Sequence, residues 1–141
     1  MASGKGQTLA DDILDHVLGG PSYTRLTTVY VALYTAAPTW TGGGTEVSTS
    51  GTGYTRQAIS NDLGTPYTQN WTVTTAGVKS NQNLIDFGTA TGNWGTVVAG
   101  AIMSASTGGY ILYFGTLTVA KTINTGDGFR IPNAGLVLTE S

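Results

Sequence analysis

The chain contains no cysteine, so disulfide bridges and thiolate metal sites are excluded, and packing, hydrogen bonding or oligomerisation must hold the fold together. Ionisable side chains are nearly as scarce. Asp, Glu, Lys and Arg make up 10% of the 141 residues, against about 25% in an ordinary globular chain. The six Lys and Arg stand singly and the net charge is -2, so no basic stripe exists to neutralise a phosphate backbone, and nucleic-acid binding is not expected. A single histidine, His16, leaves one imidazole for any acid–base scheme. No run of about 18 apolar residues is present to span a bilayer. Residues 1–20 lack the unbroken apolar stretch of a signal peptide, so a soluble chain with no membrane partner is expected.

Thr, Gly and Ser fill the space that charges leave, with 21 glycines among them. A surface of hydroxyls and backbone amides carries little charge repulsion and little side-chain entropy to lose. It suits lateral packing against a neighbour better than free diffusion at high concentration. A chain of this size buries roughly two-thirds of its unfolded surface, so one core is the default.

Residues 1–20 read as an N-terminal arm followed by one short helix. Leu9, Ile13, Leu14, Val17 and Leu18 make a single apolar stripe. Thr8 is placed to cap the helix, with Asp11 and Asp12 in its first turn, and Gly19-Gly20-Pro21 ends it. Residues 1–7, small and polar, read as a flexible arm. From residue 21 to 141 the pattern changes to about eight short β-prone runs separated by Gly, Asn and Pro. An all-β, antiparallel sandwich of jelly-roll type is expected. The runs are 27–35, 54–60, 71–75, 84–87, 95–105, 110–119, 128–131 and 136–140. In the first, Val29, Val31 and Leu33 alternate with Tyr30, Ala32 and Tyr34, which puts aliphatics on one face and tyrosines on the other. Ser106-Thr107-Gly108-Gly109 joins 95–105 to 110–119 as a hairpin. Residues 37–53 and 61–70 read as loops, the first long enough to be functional or disordered.

Chemistry is hard to find in this pattern. His16 with Asp12 one turn earlier would be the only start of a nucleophilic triad, but an Asp–His pair at that spacing on a short helix is an ordinary surface contact. Asp11, Asp12 and Asp15 point in different directions from consecutive helical positions, so no metal site is expected. Glu46, Asp86 and Asp127 read as isolated acids at strand ends and turns. Gly42-Gly43-Gly44 precedes Thr-Glu and not Gly-Lys-Ser/Thr, so it is a turn and not a phosphate loop. No catalytic residue, cofactor or metal is therefore expected, and the chain does not read as an enzyme. Trp40, Trp71 and Trp94 serve a core, a subunit contact or a ligand platform. Trp40, beside Pro38 and the glycine triplet, is the best candidate for an exposed ring.

Residues 26–38 (LTTVYVALYTAAP), Gly43-Gly44-Thr45-Glu46-Val47 and Gly53-Tyr54-Thr55-Arg56-Gln57-Ala58 resemble a pattern in small structural proteins of tailed bacteriophages. The segments Trp94-Gly95-Thr96-Val97 and Gly115-Thr116-Leu117, with Gly126-Asp127, are similar to that family's second half. The resemblance runs from about residue 14 onward, with a diverged middle at 61–83 and a divergent close at 129–138, where Pro132 marks an edge strand or a strand end. Members are often labelled tail fibre proteins, and similar β-sandwiches serve as capsid decoration or cement proteins. The resemblance implies a virion part made in the host cytoplasm.

The chain shows neither internal repeats nor heptads of the kind fibres use. The expectation is accordingly a decoration protein on the capsid surface, partnered by the major capsid protein and by copies of itself as a dimer or trimer. The alternative is a tail-fibre or baseplate-associated module that recognises a host surface. Leu9, Ile13, Leu14, Val17 and Leu18, with Trp40, are the expected partner contacts. The same stripe has a second reading, in which the helix covers the chain's own sandwich.

Overall fold

The most regularly alternating segment of the sequence becomes the strand on which the fold is organised. In the computed structural model, which describes residues 4–61 and 70–140, strands β1 (Gly4–Lys5), β2 (Thr28–Ala36), β3 (Thr45–Glu46), β4 (Gln57–Ser60), β7 (Gly95–Met103) and β8 (Ile111–Ile123) form one antiparallel sheet. Its order is β1-β8-β7-β2-β3, and β4 shares the outer edge of β2 with β3. Two antiparallel ribbons complete the sandwich-like, all-β architecture. One joins β6 (Ile85–Thr89) to β9 (Gly128–Ile131), the other β5 (Val78–Ser80) to β10 (Val137–Thr139).

The faces of β2 divide as its alternation predicts. Val29, Val31 and Leu33 enter the main core with Val47, Tyr54, Ile59, Phe87, Trp94 and Phe129. There Tyr54 stacks on Phe87 and meets the edge of Trp94, while Phe87 meets the edge of Phe129. The opposite face is buried too. Ala32 and Tyr34 pack with Ala99, Ala101, Met103 and Ile111 in a second, smaller cluster. Across the β2–β7 ladder Ala32 stands opposite Ala101 and Tyr34 opposite Ala99, so both of these cross-strand pairs include a small side chain.

The expected hairpin is present, with Met103 opposite Ile111. Gly109 has φ 71°, and a Cβ there would press on Ser104 Oγ, which accepts the Tyr110 N–H at 2.9 Å. β8 outlasts its expected end at 119 because 121–123 pair with 95–97. Between these ladders four residues, 117–120, oppose the single Val98, a bulge that leaves Thr118, Val119 and Ala120 exposed. β9 ends before Pro132, as a residue without an N–H donor requires.

Some expectations fail. Residues 71–75 form only isolated bridges, at Trp71 and Thr75, while the strand they were expected to supply appears at β5. Within the expected flexible arm, Gly4–Lys5 pairs with Tyr113 and Phe114 of β8. That pairing starts the helix early. Helix α1 (Gln7–Leu18) has Gly6 and not Thr8 at its N-cap, and Asp11 and Asp12 fall outside the first turn. Backbone carbonyls of Leu112 and Trp40 take the Gly6 and Gln7 N–H groups, doing the work expected of a capping side chain. At the other end Gly19 adopts φ 104° and the Gly20 N–H reaches the Asp15 carbonyl, so the expected stop is in place. The loop expected at 61–70 lies almost wholly outside the described residues.

Candidate functional site

Helix α1 carries two different surfaces at its two ends. At its N-terminal end Leu9 is 4% exposed and Ile13 packs partly on the main core, so this half of the stripe covers the chain's own sandwich. Towards the C-terminus the stripe leaves the domain. Leu14, Val17 and Leu18 are 57, 68 and 77% exposed, at i, i+3 and i+4, on one side of the last turns. The reading in which the helix covers its own sandwich holds for Leu9 and Ile13, and Leu14, Val17 and Leu18 lie outside that cover. The end is rigid, because the Gly20 N–H closes on Asp15 and the Tyr23 N–H donates to His16 Nδ1 at 3.1 Å. Asp11 and Asp15 are exposed on the same helix, and among the described residues no cation pairs with them.

The second surface is a cleft of about 240 Å³ where α1 begins, lined by Gln7, Thr8, Tyr34, Trp40, Thr41 and Tyr110 together with backbone of the glycines 42, 43 and 109. Trp40 is 48% exposed, as expected, whereas Trp71 and Trp94 are buried. The buried pair satisfy their indole N–H groups on Asn61 Oδ1 and the Thr52 carbonyl. Segment 37–53 is structured throughout. Thr39 and Gly42 exchange backbone hydrogen bonds of 2.8 and 3.0 Å, Pro38 is fully buried, and Val47 enters the main core.

Glu46 anchors this loop. Its carboxylate accepts two hydrogen bonds from Arg56, Nε to Oε1 at 2.9 Å and Nη2 to Oε2 at 2.8 Å, and a third from the Tyr54 hydroxyl at 2.9 Å. Arg56 also donates to the Ala105 and Gly108 carbonyls, tying the loop to the β7–β8 turn. Tyr54 in turn receives the Leu33 N–H. Burial pushes the Glu46 carboxyl up, but the Arg56 and Tyr54 hydrogen bonds and the Arg56 charge outweigh it and hold the group below its ordinary value. The same burial raises Tyr54, helped by the Glu46 charge.

The acids and the histidine weighed for chemistry do not converge. His16 takes the Tyr23 N–H, with no ion pair to Asp12 among the described residues. Asp86 pairs with Arg130 at 3.1 Å across β6 and β9, and Asp127 accepts the Asn124 N–H within its own turn. Among the described residues no three His, Asp or Glu side chains group as metal ligands, Asp11, Asp12 and Asp15 included.

Two polar centres escaped the sequence reading. One is the Tyr54–Glu46–Arg56 network. The other is Asn81, 1% exposed, whose Nδ2 donates to the Asn83 and Pro132 carbonyls and whose Oδ1 accepts the Leu136 N–H. It pins the end of β5 to the turn before β10. Nothing in the local sequence pattern pointed to either, since the partners of Glu46 and of Asn81 include residues ten to 55 positions away.

Residues 4–139 match the family described as Podophage GP4 fiber I protein gp80. The match includes the middle at 61–83 and the close at 129–138, where the sequence resemblance is weakest. No curated protein matches the chain.

Proposed function

The chain belongs to the podophage GP4 fiber I protein gp80 family, and on that premise we propose that it is a fibre-associated structural module of a phage virion, held to a neighbouring virion protein through the exposed end of α1. The observation that carries the attachment is the trio Leu14, Val17 and Leu18, more than half exposed on a helix that is itself firmly anchored. Apolar side chains at that spacing are what an amphipathic helix offers to a partner's groove. Scarce charge fits the same role, because a surface of hydroxyls packs against a neighbour without burying unpaired ions.

The fibre reading is preferred to a decoration protein on the major capsid shell because the family description names a fibre, while the surface chemistry serves either position. In the fibre reading the Trp40 end of α1 faces outward and the Leu18 end faces the particle. A catalytic role is not part of the proposal, since His16, Glu46, Asp86 and Asp127 are each engaged in separate structural contacts.

The test is incorporation. Phage carrying Leu14→Ser with Leu18→Ser should assemble particles that lack the protein, by immunoblot of purified virions, while the isolated variant stays folded. Normal incorporation of that variant would contradict the assigned attachment surface. Quantitative mass spectrometry of wild-type virions should give a copy number in the range of the other tail proteins. A number matching the major capsid protein would favour decoration.

A further inference from the structure

We propose that the cleft beside Trp40 binds an uncharged pyranose unit of a surface glycan. Its walls supply the chemistry such a ligand uses. Trp40 presents a half-exposed indole, and among the described residues its ring N–H has no partner, unlike the satisfied indoles of Trp71 and Trp94. A flat indole takes the apolar C–H face of a sugar ring with little loss of side-chain entropy. The residues around it include Gln7, Thr8, Thr41 and Tyr110, whose side chains carry neutral hydrogen-bonding groups, and the apolar Met103 and Ile111. Among the described residues no Asp, Glu, Lys or Arg lines the cleft.

Size and charge narrow the ligand. About 240 Å³ is below the roughly 300–1,000 Å³ of sites for drug-sized molecules, so one ring unit is held and the rest of a chain runs out into solvent. Acidic sugars are disfavoured, because among the described residues no Lys or Arg lines the cleft to pair with a carboxylate as it leaves water. The site is also preformed. The Thr39–Gly42 exchange and the buried Pro38 fix the loop under Trp40, so binding does not have to order it.

The inference rests on the fibre reading for the biological source of the sugar, a host surface, whereas binding itself is a property of the isolated protein. The test is therefore made on the purified full-length chain. The Trp40 indole N–H resonance is followed by NMR while the methyl glycosides of glucose, galactose and mannose, and N-acetylglucosamine, are titrated into the millimolar range in which weak single-ring binding falls. N-acetylneuraminic acid and galacturonic acid serve as charged counterparts, and a proline-rich peptide as the competing class.

At least one neutral sugar should give saturable shifts centred on Trp40, Thr8 and Thr41, insensitive to salt. Trp40→Ala should weaken it at least about tenfold, and Trp40→Phe, which keeps a ring, should weaken it less. Circular dichroism checks that both variants are folded. Silence of the Trp40 resonance with every neutral sugar, equal binding of the acidic ones, unchanged binding by Trp40→Ala, or peptide binding in place of sugar would each overturn the proposal. Location of the protein on the head shell would remove the fibre reading and leave the binding result standing, so the two failures are distinguishable.

Discussion

The two ends of the twelve-residue α1 are about 16.5 Å apart, from eleven rises of about 1.5 Å each, and they solve opposite problems. At the Gln7 end an exposed indole sits in a concavity whose walls come from three distant parts of the chain, 7–8, 34–43 and 103–111; the Gln7 N–H on the Trp40 carbonyl holds the first to the second, and Arg56 ties Glu46, just beyond the second, to the third. At the Leu18 end the exposed side chains are convex and aliphatic, with acids beside them and, among the described residues, nothing folded over them. A concave, polar-lined surface with a flat ring suits a small ligand. A convex apolar ridge suits a larger partner's groove. Exposure of large apolar side chains is therefore not one signal here but two, and the shape around them separates the two proposed roles, recognition and attachment.

The sharpest way to break the comparison is to cut the stripe where it changes character. Leu9→Ala removes a buried side chain and should cost about 3 kcal/mol, whereas Leu18→Ala, on the same helix, should change stability by less than about 0.5 kcal/mol. Urea unfolding of the two variants measures both, and equal losses would mean that the stripe is covered along its whole length. Next in size is Arg56→Ala. It leaves the half-buried Glu46 carboxylate with Tyr54 alone and frees the β7–β8 turn, so a loss of about 2 kcal/mol is expected, discounted for partial exposure. The Trp40 indole resonance should move while those of Leu14 and Leu18 methyls stay where they are.

Acid offers a milder probe of the same wall. Glu46 is held below its ordinary value of 4.5 in the fold, so its contribution is complete above that value and fades as pH falls through the lower folded value. Wild-type stability should therefore drop more steeply below about pH 4.5 than that of Glu46→Gln, which has no carboxyl to protonate there. Parallel curves would show that the network contributes nothing to the pH dependence. Smallest on stability, yet complete on assembly, is Leu14→Ser with Leu18→Ser: midpoints within about 0.5 kcal/mol of wild type and no incorporation into particles.

How much of this could be read in advance follows from the range of the interactions involved. β2, the β7–β8 hairpin, β9 and the end of α1 were legible because alternation, a Gly-Gly turn, Pro132 and Gly19-Gly20 act within a few residues. β1, β3 and β5 were not, since Gly4–Lys5, Thr45–Glu46 and Val78–Ser80 carry no strand pattern of their own and are extended only because β8, β2 and β10 pair with them. The early start of α1 has the same cause. In the site, Trp40 announced its exposure through Pro38 and the glycines, but the split of the stripe after Ile13 depends on where β8 passes under the helix. Glu46 looked isolated in the sequence for the same reason, as its partners meet it only once β3 lies beside β2.

Cryo-electron microscopy of intact particles tests the central claim most directly. Density for this fold should sit on the tail fibres in few copies, with Leu14, Val17 and Leu18 buried against a different virion protein and Trp40 open to solvent. Density spread over the head shell, or a tail position in which the Trp40 cleft is the attached face and the Leu18 end is free, would contradict it.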